Sequence, residues 1–353
     1  MSRLALPALL ILGLGACQSA PIVPPQTGRA GVPARAEPAA WGEILPGQLA
    51  AARAAAARYR DVRVAEAEGW APFGGGTEEP LMGTHYYAPE GSGVPDYAAG
   101  DVIDPGRPNN LMYAEIGGER VLTGVAFVVR IGAQDAVPAG FAGPQDRWHV
   151  HDFLSAINAA TEDRPLLRGL AARWLDDAYF REGDDRYRLA MVHVWTEHPN
   201  PDGVFADVDR TLPYRKLGLD EAYWDGASVE AARGLHLATD GGCEETVGAH
   251  LWIADASGAQ ERAVMTACRA AAEAVRSVLG ARAAVLNRTA ADAWARFETA
   301  KAAALSPEQR ARIAAMTEHG GHGEHDGHGA HGAMDGHGGM EGNGHGADSG
   351  HDH

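Results

Sequence analysis

The chain has 353 residues, 45% of them hydrophobic and 22% charged, with 47 acidic side chains against 30 basic and a formal net charge of -17. That is enough material for one large domain or two ordinary ones with a buried core. The acidic excess argues against nucleic acid and against an anionic bilayer surface as partners, and it suits a divalent cation better than an anionic ligand. After Arg312 there are seven acidic residues and no Lys or Arg, so the C-terminal end carries much of the imbalance.

The N-terminus reads as a targeting segment. Arg3 supplies a short positive region, and Leu4 to Leu14 is apolar but too short to span a bilayer as a folded helix. It ends in Leu14-Gly15-Ala16-Cys17, which resembles the lipobox of bacterial lipoproteins. That resemblance implies removal of residues 1–16 and a lipid on Cys17; an ordinary secretory signal with an incidental cysteine is the alternative. Gln18 stands where inner-membrane retention typically uses aspartate, which favours the periplasmic face of the outer membrane. No other segment is long and apolar enough to cross a membrane, so the lipid is the only expected membrane contact.

Residues 17–45 are rich in Pro, Ala and Gly and read as a flexible tether. Pro46 to Trp70 predicts a helix, with Leu49, Ala52, Arg53, Ala56 and Tyr59 at helical spacing and Gly69 at its end. From Leu81 the pattern changes to short apolar runs punctuated by Gly, Pro and Asp, as in strands and turns. Met82–Ala88, Leu111–Ile116, Arg120–Ile131, Arg147–Phe153 and Tyr187–Thr196 are the expected strands. Gly117-Gly118 is a hairpin turn, and Val121 to Val129, apolar on both faces, is a central strand. Residues 162–182 predict a helix between strands.

Several short motifs in this part keep a fixed order: Ala57-Arg58-Tyr59-Arg60-Asp61-Val62, Gly83-Thr84-His85-Tyr86-Tyr87, Asp104-Pro105-Gly106-Arg107-Pro108 with Leu111-Met112-Tyr113, and His193-Val194-Trp195 with Asn200-Pro201-Asp202-Gly203-Val204-Phe205. Together they resemble an uncharacterised family of secreted bacterial proteins over residues 50–210. The resemblance implies no activity and assigns no catalytic residue.

Chemistry is argued from residue types instead. On a strand, His149 and His151 point to one face with side-chain origins about 7 Å apart. Zn–N bonds of about 2.0–2.1 Å allow two such imidazoles to converge on one ion. His193, in an apolar strand with Leu189, Met191 and Trp195 on its face, and His85 are the further ligand candidates. Neutral histidines suit Zn(II) or Cu(II), and Met191 extends the choice to Cu(I). The rival reading makes each a separately hydrogen-bonded structural histidine. Asn200-Pro201-Asp202-Gly203 is better explained as a turn than as a catalytic aspartate, with Phe205 folding back as an anchor. Gly74-Gly75-Gly76-Thr77 lacks the Lys of a phosphate loop and reads as a loop. Asp176-Asp177 and Asp184-Asp185 read as solvated acidic pairs.

From Ala227 the chain is alanine-rich and helical, with Ser228–Ala238, Glu244–Ile253, Ala259–Leu279 and Ala290–Ala304 as helices and a short last one from Ser306-Pro307-Glu308 to Met316. Cys243 and Cys268 would pair in an oxidising compartment; a Cys/His metal site with His250 is the rival. Finally, His319, His322, His325, His328 and His331 recur every third residue, followed by His337, His345, His351 and His353 among Gly, Asp and Glu. Such a segment cannot bury a core, is expected to be disordered without a ligand, and offers overlapping imidazole sites for copper, zinc or nickel. Low-complexity drift producing a solvated tail is the rival reading.

The expected fold class is therefore α+β. The expected order is a signal peptide (1–16), a tether (17–45), a β-rich domain with an N-terminal helix (46–215), a helical region (216–316) and a disordered Gly/His-rich tail (317–353). The expected function is a periplasmic, lipid-anchored protein that binds a transition metal for buffering, storage or delivery. A metal-dependent enzyme using the core histidines and an envelope scaffold with an incidental tail remain the alternatives.

Overall fold

The computed structural model describes residues 41–320, apart from 90, 133, 137, 144–145 and 152–187. Cys17, the expected helix over 162–182 with its acidic pairs, and the histidines His322, His325, His328, His331, His337, His345, His351 and His353 lie outside the described residues.

The fold is α+β. Its six strands are β1 (Ala71–Pro72), β2 (Thr84–Tyr87), β3 (Asn110–Ile116), β4 (Glu119–Ile131), β5 (His149–His151) and β6 (Arg188–Val194). They form one sheet in the order β1-β2-β3-β4-β6-β5, and every pairing is antiparallel. The long β4 is central because residues of both its faces are apolar: Val125, Phe127 and Val129 pack on one side, Ala126 and Val128 on the other. Gly117 and Gly118 join β3 to β4 with φ of 64° and 80°, values a tight hairpin demands and side chains resist. A register shift at Met112/Tyr113 bends β3 against β4.

The N-terminal helix differs from the expected one in two ways. Helix α1 (Trp41–Ala56) starts before Pro46 and takes in the last residues assigned to the tether, with the proline accommodated inside it. It then breaks, passing through a 3-10 turn (Ala57–Tyr59) into α2 (Val62–Ala67). The break has a local cause. Asp61 is extended (φ -89°, ψ 109°), its carboxylate accepts the Arg63 N–H as an N-cap, and it bridges Val121 of β4. The Tyr113 hydroxyl donates to the Tyr59 carbonyl at the break, 2.6 Å away. Gly74–Gly76 lies in a 3-10 turn (Phe73–Gly76) rather than an irregular loop.

After β6 come α3 (Leu212–Lys216), α4 (Glu221–Trp224), α5 (Val229–Leu237), α6 (Gly242–Ile253), α7 (Gly258–Arg276), α8 (Ala283–Ala304) and α9 (Pro307–Gly320). The two short helices α3 and α4 were not expected, since neither is long enough to show a period. Helix α8 begins well before Ala290, and α9 runs past Met316 through His319. Ser228 caps α5, and Ser257 with Gln260 forms a capping box at α7. A disulfide joins Cys243 of α6 to Cys268 of α7.

The two faces of the sheet have different covers. Trp70, Tyr97, Phe141 and Phe205 pack with α1 residues on the face carrying Val125 and Phe127. On the opposite face, Leu212 of α3 and Ile253 of α6 pack over Met112, Ala126 and Met191. Helix α9 also packs against β5. This second, helix-covered face carries all four core histidines.

Candidate metal centre

Register alone places the histidines. On β5, His149 is opposite Met191 and His151 opposite Leu189 of β6. Two residues along β6 from Met191, His193 is opposite Ala126 of β4. His85 of β2 is opposite Met112 of β3, which is opposite Gly124 of β4. Directly opposed residues share a face, so His85, His149, His151 and His193 all point into the same layer.

His149 and His193 are diagonal neighbours on adjacent strands, with ring centroids 4.8 Å apart. His149 and His151 rings are 5.2 Å apart, edge to face. His85 is the surprising member, because β3 and β4 separate its strand from β6. Its Nε2 nevertheless lies 3.0 Å from the Nε2 of His193. On the intervening β4 the residues of this face are small, Gly124 opposite Met112 and Ala126 opposite His193.

The protonation of this pair follows from its partners. The Nδ1 of His193 lies 2.8 Å from the Asp207 main-chain carbonyl, which can only accept, so the proton is on Nδ1. A neutral His193 then presents its Nε2 lone pair to His85, whose Nε2–H donates. A ring held through Nδ1–H on a backbone carbonyl with Nε2 free to ligate is how proteins orient metal-binding imidazoles. Burial, reinforced by the nearby His149, pushes the His85 imidazole down to about 4. The same causes hold His193 well below the usual histidine value. Both are neutral at physiological pH, the form that binds metal.

His149 is the unsatisfied member. It is 1% exposed, and neither ring nitrogen has a hydrogen-bond partner among the described residues. Its Nδ1 lies 3.7 Å from the Asp207 carboxylate, beyond a hydrogen bond. A buried imidazole left without partners is costly, and a ligand would remove that cost. Among the described residues, no three His, Cys, Asp or Glu side chains already stand as a finished ligand set. The arrangement is a close His85–His193 pair with a third imidazole beside it.

Elsewhere, Asn200-Pro201-Asp202-Gly203 is a turn. Its Gly203 N–H donates to the Asn200 carbonyl, Gly203 has a φ of 108°, and Asp202 pairs with Arg210 at 3.1 Å. Phe205 is buried with its ring 4.9 Å from that of Phe141, so it does fold back as an anchor. With both sulfurs bonded to each other, Cys243 and Cys268 offer no thiolate to His250. His319 lies in α9. Sequence reading did not identify Asp207, Met112, Gly124 or Ala126 as neighbours of the site. The small pair at 124 and 126 inside an otherwise bulky strand was the one available signal. No family model matches the chain, and no curated protein or solved structure matches it either.

Proposed function

We propose that this protein is a lipid-anchored envelope protein that binds a transition metal, copper, zinc or nickel, and buffers, stores or delivers it. Two sites contribute: a specific one formed by His85, His149, His193 and His151 in the fold, and overlapping ones along the tail from His319 to His353. The observation that carries the reading is the 3.0 Å approach of the His85 and His193 Nε2 atoms. Two nitrogens bound tetrahedrally to one ion at about 2.0–2.1 Å stand about 3.3 Å apart, so this pair needs to open by only a few tenths of an ångström. Lipidation at Cys17 and an outer-membrane address follow from the lipobox-like segment, and loss of membrane association in Cys17→Ser tests them.

The metal reading is tested by metal content. The full chain, a form lacking residues 317–353, and that shorter form carrying His149→Ala/His193→Ala are compared after purification from the cell envelope. A tightly held ion that survives tail removal and is lost in the double variant supports the core site. Equal metal in the double variant and the parent would sink the core site and leave a tail-only buffer.

A further inference from the structure

We propose that the ion preferred by the core site is Cu(I), held by the buried imidazoles together with the thioethers of Met112 and Met191. This rests on the metal-site reading above and narrows it to one soft monovalent ion.

Both methionines lie on the histidine face. Met112 is directly opposite His85, and Met191 is directly opposite His149. Opposed residues of antiparallel strands have Cβ atoms about 4.5–5.5 Å apart, within reach of a flexible thioether. Met112 also leans the right way. Its Cε lies 2.9 Å from the point a Cβ on Gly124 would occupy, so the side chain extends across β4, away from β2 and toward the strand of His193. Both methionines are buried, and both belong to the apolar layer beneath Leu212 and Ile253.

Charge decides between ions. Imidazoles and thioethers are neutral, so an ion in this layer keeps its own charge. The solvation cost of burying an ion grows as the square of its charge, so a dication costs about four times as much as a monocation of the same size. Thioether sulfur is also a soft donor that selects Cu(I) over Zn(II) or Ni(II).

The test measures thermal unfolding of the full chain with added Cu(I), kept reduced by ascorbate under anaerobic conditions, or with added Zn(II). Only an ion whose ligands the fold brings together raises Tm, which separates the core from the tail. Met112→Leu/Met191→Leu conserves volume and leaves the histidines in place; the Tm without metal reports whether its fold is intact. The expected result is a larger shift with Cu(I) than with Zn(II), and loss of most of the Cu(I) shift in the methionine variant with any Zn(II) shift unchanged. If Zn(II) matches Cu(I) in the parent, or the variant keeps the full Cu(I) shift, the Cu(I) assignment is overturned while the histidine site stands. If neither ion raises Tm in the parent, the histidine site falls with it.

Discussion

His85 and His193 stand on strands separated by two others, and their Nε2 atoms are 3.0 Å apart. Strands spaced about 4.8 Å apart would leave such rings well separated if the intervening face were filled. On the same face of the intervening β4 stand the small residues Gly124, opposite Met112, and Ala126, opposite His193.

A bulkier residue opposite His193 should disturb the pair. Ala126→Leu introduces a branched side chain at a fully buried position opposite His193. The expected cost is about 1–3 kcal/mol of stability from overpacking. The parent protein should also show the His193 Nδ1–H tautomer, held by the Asp207 carbonyl, in long-range 15N correlation spectra, and the Nε2 resonance, which accepts from His85, should shift in Ala126→Leu. An unchanged His193 signal in the variant would mean that the His85 contact does not set its state.

Metal-free protein should weaken in acid for a specific reason. The His85 pKa falls from 6.5 in the unfolded chain to about 4 in the fold, chiefly through burial. Between those values the unfolded chain binds more protons, so stability is fully present above about pH 6.5 and is lost as pH falls toward 4. His85 alone accounts for on the order of 3 kcal/mol across that window, and His193 shifts in the same direction. Urea midpoints of chelator-treated protein at pH 7.5, 6 and 5 check this; a flat profile would contradict neutral burial of the pair.

Reducing the Cys243–Cys268 disulfide should loosen the helical region. The bond closes a loop with a sequence separation of 25 between α6 and α7. Chain-entropy reasoning gives about 3–4 kcal/mol for a loop of that length. Cys243→Ser/Cys268→Ser should lower the urea midpoint accordingly, and adding dithiothreitol to the variant should change nothing further.

Gly234→Ala should destabilise, although Ala in a helix interior ordinarily gains about 1 kcal/mol over Gly. Helices α5 and α8 meet at this residue, and a Cβ there would sit 2.0 Å from the Ala290 carbonyl oxygen. The helices must separate to admit a methyl group, and the lost packing outweighs the propensity gain. A lower Tm than the parent is expected; an equal or higher one would mean that the two helices can separate at little cost.

The amino-acid order alone determined much of the local structure. The run from Val121 to Val129 could only be a two-faced central strand, Gly117-Gly118 could only turn tightly, and the alanine-rich run from Ala259 to Leu279 read as a helix, because each signal depends on neighbours in the chain. The same holds for His149 and His151, whose common face follows from strand alternation. The break at Asp61 escaped notice because its cause lies in Val121 and Tyr113, distant residues that compete for the backbone. Tertiary structure alone decided which histidines meet. His85 reaches His193 across 108 residues of sequence separation, only through the strand order β2-β3-β4-β6. It also set Asp207 beside His149 and laid Met112 over Gly124. Sequence spacing encodes faces, but convergence across a sheet depends on register, strand order and what the intervening residues leave empty.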